Sequence, residues 1–122
     1  IRNPRATKQG DFRVLNSKMQ ITINSDLNKY SFLITLTHEI AHAFVYRKYA
    51  NTVKAHGLEW KGIFSKMLLK LVHLGCFPAD IMEVLEVYIK NPRASTLTDV
   101  SLSSVLISYD YNQIITISEN LG

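Results

Sequence analysis

His38-Glu39-Ile40-Ala41-His42 decides the reading of this chain. In an α-helix, residues four apart lie one above the other on a single face. The imidazoles of His38 and His42 can then grip one metal ion. Glu39 is turned by roughly 100° from His38, so it stands beside the ion without binding it. From there it can take a proton from a water that the metal has acidified. Five residues thus supply two ligands and a general base. Two of the four histidines stand at ligand spacing with Glu in the base position, a combination that packing alone does not ask for.

The flanking residues give this stretch a helix to sit on. Asn28 is an N-cap residue, and the pattern predicts a helix from Lys29 to Tyr49. Leu33, Leu36, Ile40 and Phe44 form one apolar stripe, and Ile34, Ala41 and Val45 add apolar groups on the histidine side. A helix apolar nearly all round is a buried one. Buried histidines need partners, and a metal is one. Thr35, Glu39 and Tyr46 form a polar strip beside the ligands, where a water-filled cleft is expected.

Catalytic zinc usually has three protein ligands and an open position. The metzincin layout would place glycine at 45 and histidine at 48; Val45 and Lys48 exclude it. His56 is the next candidate, beyond the short loop from Ala50 to Ala55. It precedes a second amphipathic pattern, Trp60, Ile63, Phe64, Met67, Leu68 and Leu71, so a turn can swing it over the first helix. Glu59 is the alternative ligand, or a first-turn carboxylate favoured by the helix dipole. His73 lies on the polar side of the second helix and reads as a surface residue.

With these residues in place, the chain resembles the SprT-like zinc metalloprotease family. The carriers are HEIAH at 38–42 and HGLEW at 56–60, the latter similar to that family's His-Gly-x-x-aromatic signature. Ile21-Thr22-Ile23-Asn24 before the first helix, and Arg5-Ala6-Thr7-Lys8 with Gly10, resemble its strand regions. The likeness covers roughly residues 5 to 90. It implies an α+β, zincin-like metalloprotease core, with a small antiparallel sheet packed on a metal-bearing helix and further helices. It implies His38, His42 and His56 as ligands of Zn2+ and Glu39 as base. It also implies a protein or peptide substrate, since relatives cut proteins crosslinked to or bound on DNA. Many members carry a cysteine-rich zinc ribbon after the core. Cys76 is the single cysteine here, so no ribbon forms within residues 1–122.

The 122 residues read as one domain, 1–122, with one modest core. No run is apolar and long enough to span a membrane, and no secretory pattern is present. A single cysteine fits a reducing compartment, so a cytoplasmic or nucleoid-associated home is expected. Beginning at Ile1 without an initiator methionine, the chain reads as a fragment or processed product. Cys76 reads as a small buried hydrophobe. Charge is uneven: residues 1–70 hold twelve Lys and Arg against four Asp and Glu, and residues 71–122 hold two against six. Arg2, Arg5, Lys8, Arg13 and Lys18 fall in the sheet region. Arg47, Lys48, Lys54, Lys61, Lys66 and Lys70 fall around the two site helices. Such a field can steer DNA or an acidic protein toward the cleft, or simply solvate the surface. The oligomeric state is left open.

Phe12 to Leu15 and Met19 to Asn24 read as a hairpin turning at Asn16-Ser17. If the hairpin edges the cleft, Met19–Asn24 is the candidate for pairing with an extended substrate. Asp80 can cap a third helix to about Ile89, stopped by Asn91-Pro92. Thr96 and Asp99 suggest a capping box for a fourth helix ending near Tyr109. Ile114 to Ile117 is a β-prone run, strand or linker. Tyr46 or Tyr49 is a candidate donor to an oxyanion. The reading that follows is metal-assisted peptide hydrolysis. Its alternative is a zinc-stabilised binding module without protease activity, in which Glu39 would have no task.

Overall fold

The computed structural model describes residues 9–96 and 99–121, with side chains as far as Asp110. Arg2, Arg5, Lys8 and the strand region proposed at 5–8 lie outside the described residues. The architecture is α+β: a two-stranded antiparallel sheet followed by four helices.

Strands β1 (Gly10–Leu15) and β2 (Lys18–Ile23) pair from Leu15↔Lys18 to Gly10↔Ile23. Asn16 and Ser17 form the two-residue turn, both at positive φ (52° and 65°). That is the twist a tight hairpin needs, and asparagine tolerates it well. Asn24 N–H donates to the Gln9 carbonyl at 2.8 Å, extending the pairing by one step.

Helix α1 runs Lys29–Tyr49. Asn28 caps it, its Oδ1 accepting from the N–H groups of Tyr30 and Ser31. Arg47 and Lys48 in the last turn complement the helix dipole. Its buried face is Ser31, Ile34, Thr35, Thr37, Glu39, Ala41 and Val45. The expected stripe of Leu33, Leu36, Ile40 and Phe44 is instead the half-exposed side, with Phe44 51% exposed. The metal motif shares its face with the sheet and α2, and these claim the packing.

Helix α2 (Leu58–His73) buries Trp60, Phe64, Leu68 and Val72, a four-residue spacing that keeps one face on α1. Gly75, at φ 78°, ends it in a Schellman arrangement: Gly75 N–H donates to Val72 O and Cys76 N–H to Leu71 O. Cys76 is half-buried rather than buried, packed at the core margin. Helix α3 (Ala79–Ile89) has Pro78 at its N-cap position, two residues before the expected cap, Asp80. Asp80 falls in its first turn and accepts from Tyr109 Oη at 2.6 Å.

Helix α4 spans Val100–Leu121. It continues through Tyr109 and through Ile114–Ile117, where the sequence suggested a strand or linker. Asp99 caps it directly, Oδ1 accepting from Leu102 N–H at 2.9 Å. Thr96 takes no part in a capping box; its hydroxyl donates to Gln9 Oε1 at 2.8 Å. The core is continuous from Ile34, Ala41 and Val45 through Trp60 and Phe64 to Ile81, Leu85, Leu102 and Leu106.

Asn28 ties both ends of this fold together. It is 2% exposed, and its Nδ2 donates to the Leu106 carbonyl at 3.0 Å and to Asp110 Oδ1 at 2.7 Å. Asn28→Ala removes a cap and both bonds to α4, at the Leu106 carbonyl and Asp110 Oδ1. The expected loss is about 2–3 kcal/mol in urea unfolding; a loss under about 0.5 kcal/mol would mean that the latch to α4 is idle.

Candidate metal centre

Three side chains from two segments meet at one point. His38 and His42 project from α1, one turn apart. His56 comes from the turn before α2, where Gly57 N–H donates to Lys54 O and the chain doubles back. The Nε2 atoms lie 3.2 Å (His38–His42), 3.0 Å (His42–His56) and 3.4 Å (His38–His56) apart. A tetrahedral metal with ordinary metal–imidazole bonds places its nitrogens about 3.3 Å apart. The donor set therefore fits a divalent cation of zinc's size, and one shared ion would satisfy all three lone pairs.

Protonation favours the same arrangement. Burial pushes the His38 imidazole down to about 3, with the neighbouring His42 and His56 adding to the shift. Burial, then His56, lowers His42 to about 4, against a small opposing pull from Asp11. His56 is lowered by burial as well. All three are neutral at pH 7, the state in which imidazole binds a metal.

Trp60 holds the triad in place. It is fully buried, with its ring 4.8 Å from His38, 4.7 Å from His56 and 5.5 Å from His42, centroid to centroid. Its indole N–H donates to the His38 carbonyl at 3.2 Å. In the sequence it reads as an apolar residue of α2 and as the aromatic of the His-Gly-x-x-aromatic resemblance, with no role at the imidazoles assigned to it. The hint is its place four residues after His56, which turns it back over that imidazole.

The metal side opens into a cleft of about 390 Å³. Its floor is α1 at Ile34, Thr35, His38, Glu39 and His42. One wall is β1 from Gly10 to Phe12, and the other is the loop Ala94–Thr96. Glu39 is 5% exposed, with Oε2 3.8 Å from His38 Nε2. Thr35 and Glu39 line the cleft as expected, whereas Tyr46 lines a neighbouring cavity and Tyr49 packs on the core. Neither tyrosine lines this cleft as an oxyanion donor. Glu59 stays in the first turn of α2, against Phe44 and Lys48, and is not part of the histidine cluster. His73 is exposed, as expected.

The strand beside the site is β1, not the Met19–Asn24 strand. Gly10 makes this approach feasible. A Cβ there would lie 2.7 Å from Thr35 Cγ2, 3.1 Å from Thr22 O and 3.2 Å from Glu39 Oε2, closer than a methyl group tolerates. Phe12, two residues on and on the same face, stacks on His42 with centroids 6.0 Å apart and planes at 20°. A two-residue turn makes Leu15 and Lys18 a hydrogen-bonded pair, so Arg13 and Asp11 also bond inward to β2. The peptide groups of Gly10, Phe12 and Val14 consequently point to the edge of β1 away from β2, which no strand among the described residues pairs. Gly10 and Phe12 carry no local signature of a site residue, because strand parity and the distance to α1 are not written locally.

Acid should expose the cost of this clustering in the metal-free protein. The unfolded chain takes up protons below about pH 6.5, while folded His38 and His42 stay neutral down to about 3 and 4. Their stability contribution is thus complete above about pH 6.5 and declines as pH falls toward 4. Thermal melts of the metal-free protein should show Tm dropping across that window, less steeply in His38→Ala; equal slopes would contradict the burial of His38.

The family comparison agrees with the geometry. The SprT-like family model matches residues 2–75, from before β1 to the end of α2, and so spans both histidine segments. Comparison with curated proteins and with solved structures gives no significant match. Over more than half its length the chain carries the pattern of a metallopeptidase-type domain, and it belongs to the SprT-like family.

Proposed function

We propose that the chain is a zinc-dependent peptidase domain, 1–122, with a zincin-like core, in which His38, His42 and His56 hold Zn2+ and Glu39 is the general base. One observation carries this reading: three neutral Nε2 atoms converge at 3.0–3.4 Å in an open cleft that also holds the Glu39 carboxylate. When bound, the metal supplies a Lewis acid for the scissile carbonyl and lowers the pKa of a water.

The residues around it do the rest. The open edge of β1 receives the substrate backbone as an added antiparallel strand, through the N–H and C=O of Phe12. This lays the scissile bond over His38 and His42. Glu39 accepts a proton at its carboxylate from the attacking water, then delivers it to the leaving nitrogen. Its position one residue after His38 brings its Oε2 to 3.8 Å from His38 Nε2. The loop Ala94–Thr96, fastened to Gln9 through Thr96, limits water at one end of the cleft.

A zinc-stabilised binding module would close the site with a fourth protein ligand. Among the described residues the cluster holds three donors and faces a cleft, which favours the enzyme. DNA-associated proteins are the proposed substrates, on the strength of Arg13, Lys18, Lys54 and the other cations of the first seventy residues. Among the described residues no helix is long and apolar enough to cross a membrane; a cytoplasmic or nucleoid-associated location is proposed with the substrate.

Glu39→Gln separates the two roles of the motif. The variant should keep its zinc and lose peptide hydrolysis by about 100-fold or more, measured on a denatured protein substrate with zinc supplied. Hydrolysis within a few-fold of wild type would remove Glu39 from the mechanism.

A further inference from the structure

A second cavity, of about 490 Å³, lies on the far side of Phe12 from Gly10. It shares Phe12, His42 and Ala55 with the metal cleft, so the two are adjoining compartments of one groove. Val14, Val45 and Val53 line it together with polar groups from Tyr46 and Asn51. Two exposed cations, Arg13 and Lys54, stand at its rim.

The two cations are not equivalent. Arg13 is already engaged by Asp11: Nη2 lies 2.8 Å from Oδ2, and Nε donates to the same oxygen at 2.9 Å. Among the described residues no carboxylate comes within ion-pair distance of Lys54. The cavity therefore offers three valines within a mixed, partly polar lining and one uncommitted positive charge at its mouth.

Strand direction places this cavity relative to the reaction. A peptide antiparallel to β1 runs from the Val14 end toward the Gly10 end. Its residues before the scissile bond then pass the Val14 cavity, and those after it pass Gly10. We propose that this cavity is a substrate subsite for an acidic side chain, glutamate above all, on the amino side of the scissile bond, with Lys54 as the selecting residue. Two methylenes of glutamate suit the valine walls, and its carboxylate meets Lys54. A substrate lysine would bring like charge against Lys54 and is rejected. The assignment rests on the peptidase reading and goes beyond it in naming the substrate class.

Two small ligands test it without requiring turnover. N-acetylglutamic acid hydroxamate and N-acetylglutamine hydroxamate carry a metal-chelating group in place of the scissile carbonyl, and they differ only in side-chain charge. Calorimetric titration of the zinc-loaded protein should give about fivefold tighter binding of the glutamate compound, the scale of one exposed ion pair. Lys54→Gln, an exposed change, should erase the difference, and Lys54→Glu should turn the preference toward the lysine hydroxamate. Equal affinities in the wild type, or a glutamate preference that survives in Lys54→Gln, overturns the subsite. Mass spectrometry of products from a denatured protein reads the peptidase activity separately. Cleavage without glutamate or aspartate enrichment before the cut sinks the subsite alone. Charge discrimination by the hydroxamates without any cleavage keeps the subsite and sinks the peptidase.

Discussion

Three imidazole nitrogens that converge on one point constrain everything around them. Neutral ring nitrogens at 3.0–3.4 Å are held together only because the surrounding packing leaves them nowhere else to go. Helix α1 sets two of them by its pitch. The third depends on the Ala50–Gly57 connection and on how α2 docks. Trp60 joins the two problems, since one ring touches all three imidazoles and its N–H fixes the α1 backbone at His38. The core behind it, Phe64, Leu68, Ile81 and Leu85, keeps α2 from sliding.

The same constraint shapes the cleft. Helix α1 must be buried to hold its histidines, yet it opens on one side into the cleft. Gly10 reconciles these demands by letting β1 lie almost on Thr35 and Glu39. The far wall comes from the loop after α3, which Thr96 joins to Gln9 at the entrance of β1. Helices α3 and α4 thereby contribute to the site although they carry none of its candidate ligands. Asn28 extends that dependence, fastening the start of α1 to the middle of α4.

Local chemistry was readable from the residues; long-range placement was not. The bounds of α1 follow from Asn28 and from apolar spacing, and His38 and His42 from their interval, because both are periodic signals of a single helix; His56 follows from its place just before a second amphipathic pattern. The choice between β1 and β2 at the cleft depends on strand parity, which no single residue states. The continuation of α4 through Ile114–Ile117 runs against β-branched preference. Such preference is weak beside the propagation of a helix already capped at Asp99. The contribution of Ala94–Thr96 to the cleft has no signature at all, since it arises only when α3 returns the chain to Gln9.

The most direct measurement is the metal content of the purified protein and of its His56→Ala variant, by elemental analysis after zinc is supplied at neutral pH. One zinc per chain in the wild type, much weakened or absent in the variant, is the result this account requires. A wild type that takes up no metal, or a His56→Ala variant that holds it equally well, would contradict the three-histidine centre and the chemistry built on it.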